Sequence, residues 1–288
     1  SSTYKQIDAA VRFVGDHSII YVHTRALIPD SMIQSLGTAF DTVVYPAVTE
    51  AYGSEPNPGI DDDPRVAILI YDFRKQAIEG SFNPHDIEPN GTYISNHREM
   101  FYLNQQAIIY EPQNAGALAA HEFAHLILHY RDVLLDPSPH ATPEADWLTE
   151  GFTTYAEHLS GYDLRVESQL RSFTSDPDTS LTRWQGYRAN YGASYAFVRY
   201  LSGRVGLGPD FIRALVEQPL DGVAGITSTL NAYDSFQTFN TLFDDWVLAN
   251  FLDSRPPQTL PYAYDGLAVS AAPVDVWGTA PLLGTRTV

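Results

Sequence analysis

Two imidazoles and a carboxylate sit inside an apolar stretch of this chain, and that limits its possible folds more than any other feature. The stretch runs Ala115-Gly116-Ala117-Leu118-Ala119-Ala120-His121-Glu122-Phe123-Ala124-His125-Leu126-Ile127-Leu128. Small and apolar flanks read as a mostly buried helix, where bare imidazoles and a carboxylate are costly unless paired. Residues four apart share a helix face, so His121 and His125 can bind one metal ion, with Glu122 turned slightly off that face. A histidine pair at this spacing is often just a polar helix face. Here the flanks favour a metal, which would satisfy all three groups. His129 is four residues beyond His125, but Leu126 stands where a base should be, so His129 reads as a surface residue or one behind the ligands.

Downstream, Asp146-Trp147-Leu148-Thr149-Glu150-Gly151-Phe152 opens a second helical pattern. A catalytic zinc takes three protein ligands and keeps a fourth position open, and Glu150 is the best candidate for the third ligand. Two neutral imidazoles and one carboxylate leave zinc with residual positive charge, which brings a bound water's pKa to near ~7. Glu122 can take the proton as that water attacks an amide carbonyl, then deliver it to the leaving amine. The developing oxyanion calls for a second donor. Tyr187, Tyr191 and Tyr195, spaced four apart around the start of one helix, are candidates that spacing alone does not separate. Metal-bound histidines usually donate their other N–H to a carboxylate or carbonyl. Asp146, Thr154 and Glu157 share roughly the face of Glu150, although Glu157 reads equally well as solvated surface.

Composition narrows the partners. There are 17 Lys and Arg against 35 Asp and Glu, a formal charge of −18. This argues against nucleic acid and against anionic membrane surfaces, and serves solubility. No apolar run reaches the roughly 18 residues of a membrane-spanning helix. Cysteine is absent, which excludes disulfides and thiolate zinc sites. The sequence opens without a signal peptide, as expected of a cytosolic chain or a mature form. An acidic, cysteine-free, Tyr-rich composition fits a secreted bacterial enzyme. Asp61-Asp62-Asp63 offers the hard oxygen ligands that suit Ca2+, but EF-hand spacing is missing, and a solvated turn before Pro64 is the preferred reading.

The periodicity implies an α+β chain, strands mainly in the first third and helices after it. A helix is expected over 30–53, starting at Asp30 and Ser31 and ended by Gly53. Val66–Tyr71 fits a buried strand, 80–91 a loop, and 91–95 and 100–104 two short strands. Helices are expected over 115–131, 147–159, 191–204, 210–217 and 236–252, with a Pro-rich loop over 132–145. Three parts follow: an N-terminal α/β part (1–113), a helical metal-binding part (114–252) and a C-terminal strand-and-loop tail (253–288).

These residues resemble the gluzincins, the zinc peptidases that include thermolysin and aminopeptidase N, and most nearly the hyicolysin-type metallopeptidases. The specific segment is His121–His125 with Trp147-Leu148-Thr149-Glu150-Gly151-Phe152. Supporting segments are 65–72, 95–104 and 191–201, so the likeness covers about residues 60 to 206. It implies a zincin-like fold and a zinc endopeptidase acting on proteins or peptides. His121, His125 and Glu150 would be the ligands and Glu122 the base. Laid on the aminopeptidase pattern, Tyr191 takes the catalytic tyrosine position. It also implies an edge strand that pairs with an extended substrate, for which Met100–Asn104 is the candidate. Two positions depart from the pattern. Thr154 stands where thermolysin has an aspartate, and the G-x-M-E-N motif that anchors a free amine is missing. The alternatives are a zinc aminopeptidase or other exopeptidase, and a non-catalytic binding module, against which the intact Glu122 argues.

Overall fold

The computed structural model describes residues 5–74, 77–88, 94–138, 141–204, 207–233, 237–252, 262–264, 267 and 269. Its first part is a mixed sheet of β1 (Ala9–Val14), β2 (Ser18–His23), β3 (Val66–Tyr71), β4 (Gly80–Phe82) and β5 (Met100–Asn104), in the order β1-β2-β3-β5-β4. β2, β3 and β5 run parallel, with Ile20 beside Ile68 and Ile68 beside Phe101. These three strands are almost entirely buried, which explains their unbroken apolar runs. β1 and β4 close the sheet antiparallel on its two sides.

This topology corrects the expected edge. Met100–Asn104 is an interior strand, bonded to β3 on one side and to β4 on the other, with Gly80 opposite Leu103 and Phe82 opposite Phe101. Its backbone groups are committed to the sheet, so among the described residues the open edge on this side belongs to Gly80–Phe82, in a segment expected to be loop. Of the strand expected over 91–95, residues 91–93 lie outside the described residues and 94–95 are not strand. β1 and β2 were not anticipated.

The helix expected over 30–53 forms, with a wide turn inside it. α1 (Asp30–Ala39) runs through a π-turn at Phe40–Val44 into α2 (Tyr45–Tyr52). Pro46 accounts for the widening, because its ring would collide with the carbonyl four residues back in regular α geometry. Gly53, at φ 88°, ends the helix as expected.

After the short α3 (Gln105–Tyr110), the further α-helices among the described residues are α4 (Ala115–His129), α5 (Asp146–Leu159), α6 (Asp163–Ser175), α7 (Arg188–Gly203), α8 (Gly208–Val216), α9 (Gly222–Ala232) and α10 (Phe239–Leu252). α4, α5, α7, α8 and α10 match expected helices to within three residues at each end; α3, α6 and α9 were not anticipated. One hydrophobic cluster runs through both parts, from Ile20 and Phe101 through Phe123 and Phe152 to Phe197 and Trp246. α4 packs against β4 and β5 on one side and α5 on another, and α5 packs in turn on α7. A buried bond from Tyr52 Oη to the Phe152 carbonyl, 2.7 Å long, joins α2 to α5. No helix among the described residues is long and apolar enough to cross a membrane. Most of the tail expected over 253–288 lies outside the described residues.

Candidate metal centre

α4 is buried nearly all round, as its alanine-rich sequence demands, and carries His121, Glu122 and His125 into the interior beneath the sheet edge. α5 crosses it and brings Glu150 to the same point. One ligand atom from each of His121, His125 and Glu150 lies within 4.8 Å of the other two. The two imidazoles turn their Nε2 atoms to one carboxylate, His121 at 3.3 Å from Glu150 Oε2 and His125 at 3.8 Å from Oε1. Among the described residues this is the one such group of metal donors.

The surroundings fit a divalent metal. His121 Nδ1 meets Glu157 Oε1 at 2.9 Å, which puts the proton on Nδ1 and leaves Nε2 to coordinate. Burial holds His125 down to about 4, so its ring is neutral and its lone pair free. Burial also opposes charge on His121, but hydrogen bonds with Glu150 and Glu157 outweigh it and raise its pKa. A metal at Nε2 would replace that proton, so binding tightens as the pH rises. Burial pushes Glu122 up to about 7, with the His121 charge pulling it down and Glu150 pushing it further up.

Glu122 lies directly against the sheet edge: a Cβ on Gly80 would come 2.4 Å from Glu122 Oε1. Only a glycine lets β4 approach the carboxylate this closely. The Tyr191 ring centroid is 6.4 Å from that of His121, and Trp184 packs edge-on to it at 4.8 Å. Burial raises the Tyr191 pKa, with the charges of Glu150 and Glu122 adding to it. Its phenol therefore stays protonated and able to donate.

The other candidates separate clearly. Tyr195 is buried and packs against His158 at 5.8 Å, while Tyr187 is exposed at the start of α7. His158 Nδ1 bonds Asp163 Oδ1 at 2.6 Å. His129 Nε2 faces Glu88 at 3.5 Å and is not part of the donor group. Of the three residues that share a face with Glu150, Asp146 is exposed and Glu157 is wholly buried. The Thr154 hydroxyl is buried without a hydrogen-bond partner among the described residues. Two of the three carboxylates of the acidic turn are engaged by arginines: Asp63 with Arg65 at 2.8 Å and Asp61 with Arg98 at 2.5 Å.

Two contributors were missed from the sequence. Gly80 lies in a strand too short to leave a period. Arg165, ion-paired with Glu157 at 2.8 Å, comes from α6, whose Val166, Leu170 and Phe173 do recur at helical spacing and could have announced it. Comparison with protein-family models and with characterised proteins gives no match.

Proposed function

We propose that this chain is a zinc-dependent endopeptidase of zincin-like fold and gluzincin type. The observation that carries the reading is one arrangement: His121, His125 and Glu150 converge while Glu122, on the same helix, abuts the open strand Gly80–Phe82. Donors, base and a peptide-pairing edge thus meet in one place. Zinc, when bound by the two histidines and Glu150, supplies a Lewis acid that acidifies water and polarises a carbonyl.

The protein's own groups do the rest. The backbone of β4 pairs with an extended chain, which holds a scissile carbonyl near Glu122 without regard to side-chain identity. Glu122 has an elevated pKa suited to a base that works near neutrality and then returns the proton to the leaving amine. Tyr191 donates its hydroxyl to the oxyanion as charge develops. Glu157 holds His121 in the tautomer that points Nε2 inward.

The test joins metal analysis to a peptide blocked at both ends. The protein should carry one zinc and cleave the blocked peptide internally. Glu122→Gln should keep the zinc and lose activity by about 10²–10⁴-fold, the usual contribution of general-base catalysis. Full zinc retention in both His121→Ala and Glu150→Ala would sink the ligand assignment. Trimming of free peptides only, with the blocked one intact, would replace endopeptidase by exopeptidase.

A further inference from the structure

We infer that Arg165 is a positioning residue that couples metal ligand His121 to the edge strand β4, through Glu157 on one side and Glu79 on the other. The inference rests on the peptidase reading above and deepens it. Its basis is a continuous series of polar contacts. His121 Nδ1 is 2.9 Å from Glu157 Oε1, and Glu157 Oε2 forms an ion pair with Arg165 Nε at 2.8 Å. Arg165 Nη1 is in turn 2.9 Å from Glu79 Oε2. Glu79 immediately precedes Gly80, and its carbonyl accepts from Asn104 N at 2.8 Å, while the Asn104 carboxamide donates to the Ile78 carbonyl at 2.8 Å. The strand root is thereby pinned to β5 as well as to Arg165.

Glu157 is fully buried, and a buried carboxylate needs a compensating cation. His121 supplies only an N–H dipole once its Nε2 coordinates a metal, so Arg165 carries the compensating charge. Without it, Glu157 would turn away from its buried position, and the His121 tautomer would lose its support. Arg165 also offers a planar fork of fixed width, so one guanidinium sets the separation of two carboxylates. One of these orients a metal ligand and the other roots the strand that lies against Glu122. A lysine at 165 would keep the charge but lose the span. Its single ammonium would go to Glu157, the more desolvated partner.

The experiment compares Arg165→Met, Arg165→Lys and Glu79→Gln with the parent. The readouts are zinc affinity by chelator competition, the visible spectrum of the cobalt-substituted protein, and kcat and KM on long and short blocked peptides. Arg165→Met should lose roughly 10–100-fold in zinc affinity, the usual effect of removing support behind a ligand. It should also shift the cobalt spectrum and raise KM for long peptides. Arg165→Lys should recover most of the zinc affinity but not the KM. Glu79→Gln should bind zinc like the parent and raise KM for long peptides more than for short ones. Parental zinc affinity in a folded Arg165→Met, or parental KM in Glu79→Gln, would overturn the inference. Should Arg165→Met fail to fold, Arg165→Gln takes its place in the zinc measurement, while Arg165→Lys and Glu79→Gln, both expected to raise KM for long peptides, decide the strand half. A parent that binds zinc but cleaves no peptide overturns the functional reading and the strand half, while the zinc measurements still decide the His121 half.

Discussion

At the scale of single residues, the metal donors and the tyrosines differ in how much of their placement depends on the fold. His121 and His125 are fixed relative to each other by one helical turn, so their pairing is legible in the sequence alone. Tyr191 is not: Tyr187, Tyr191 and Tyr195 offer the same chemistry at the same spacing, and only the seating of α7 on α5 selects among them. Tyr191 faces His121, and Tyr195 is enclosed against His158. Tyr191→Phe removes one hydroxyl and almost no volume. It should lower kcat by roughly 10²–10³, the loss typical of one oxyanion donor, with little change in KM. Tyr195→Phe should leave kcat near the parent value. Steady-state kinetics on one peptide with both variants checks this, and the reverse ranking would exclude Tyr191 as donor. Glu157 was ambiguous for a related reason. A glutamate is solvated or buried according to whether the fold supplies a cation, and here the cation comes from a different helix.

At the scale of elements, long periodic segments were legible and short ones were not. α4 and α5 declare themselves through their apolar runs, and Gly161, at φ 82°, lies just beyond α5. Gly80–Phe82 spans three residues. Its strand character comes from pairing with β5, a non-local contact with no local signature. Sequence pattern alone therefore points to Met100–Asn104, the neighbour with the longer apolar run, as the edge. The approach of β4 to α4 gives a direct test. In Gly80→Ala the new methyl would meet three side-chain atoms of Glu122, at 2.4 to 2.8 Å. Either the carboxylate rotates or the strand retreats. Activity should fall by on the order of 10²-fold, the usual result of displacing catalytic groups by about 1 Å, while zinc content and helical circular dichroism stay at parental levels. Activity close to that of the parent would show that β4 does not constrain the base.

At the scale of the whole molecule, the α+β class was legible because strand-length runs precede helical ones. The loop over 132–145 was legible only as Pro-rich chain, yet it joins the two helices that carry the candidate ligands and is held by the buried Asp132 and the half-buried Glu144. The Glu144 amide donates to Asp132 Oδ2 at 2.7 Å, and Glu144 Oε1 accepts from Ala145 N at 2.6 Å and Gly222 N at 2.5 Å. Thr142 bonds Asp221 beside them at 2.6 Å. Burial pushes Glu144 up from its ordinary 4.5 to about 7, and the charges of Asp132 and Asp221 add to the rise. A carboxyl whose folded pKa is raised contributes stability below its unfolded pKa and loses it as the pH climbs through the folded value. Glu144 therefore weakens the fold progressively between pH 4.5 and about 7. Glu144→Gln keeps an oxygen for the two backbone donors and cannot ionise. Its melting temperature relative to the parent should rise from acid to mildly alkaline buffer, at equal metal loading. A difference that stays constant across that range would show that Glu144 does not titrate in the fold.

The division of the donors between helices bears on how the centre assembles in time. His121 and His125 arrive together, but Glu150 arrives only when α5 docks across α4, a step that also closes the Tyr52–Phe152 bond. On the proposed ligand assignment, a refolding chain with α4 formed and α5 undocked would be a two-ligand chelate of weak grip. Cobalt absorbance should accordingly lag the recovery of helical signal in a stopped-flow refolding trace. A bound metal would then serve as a clock for the docking of one helix on another.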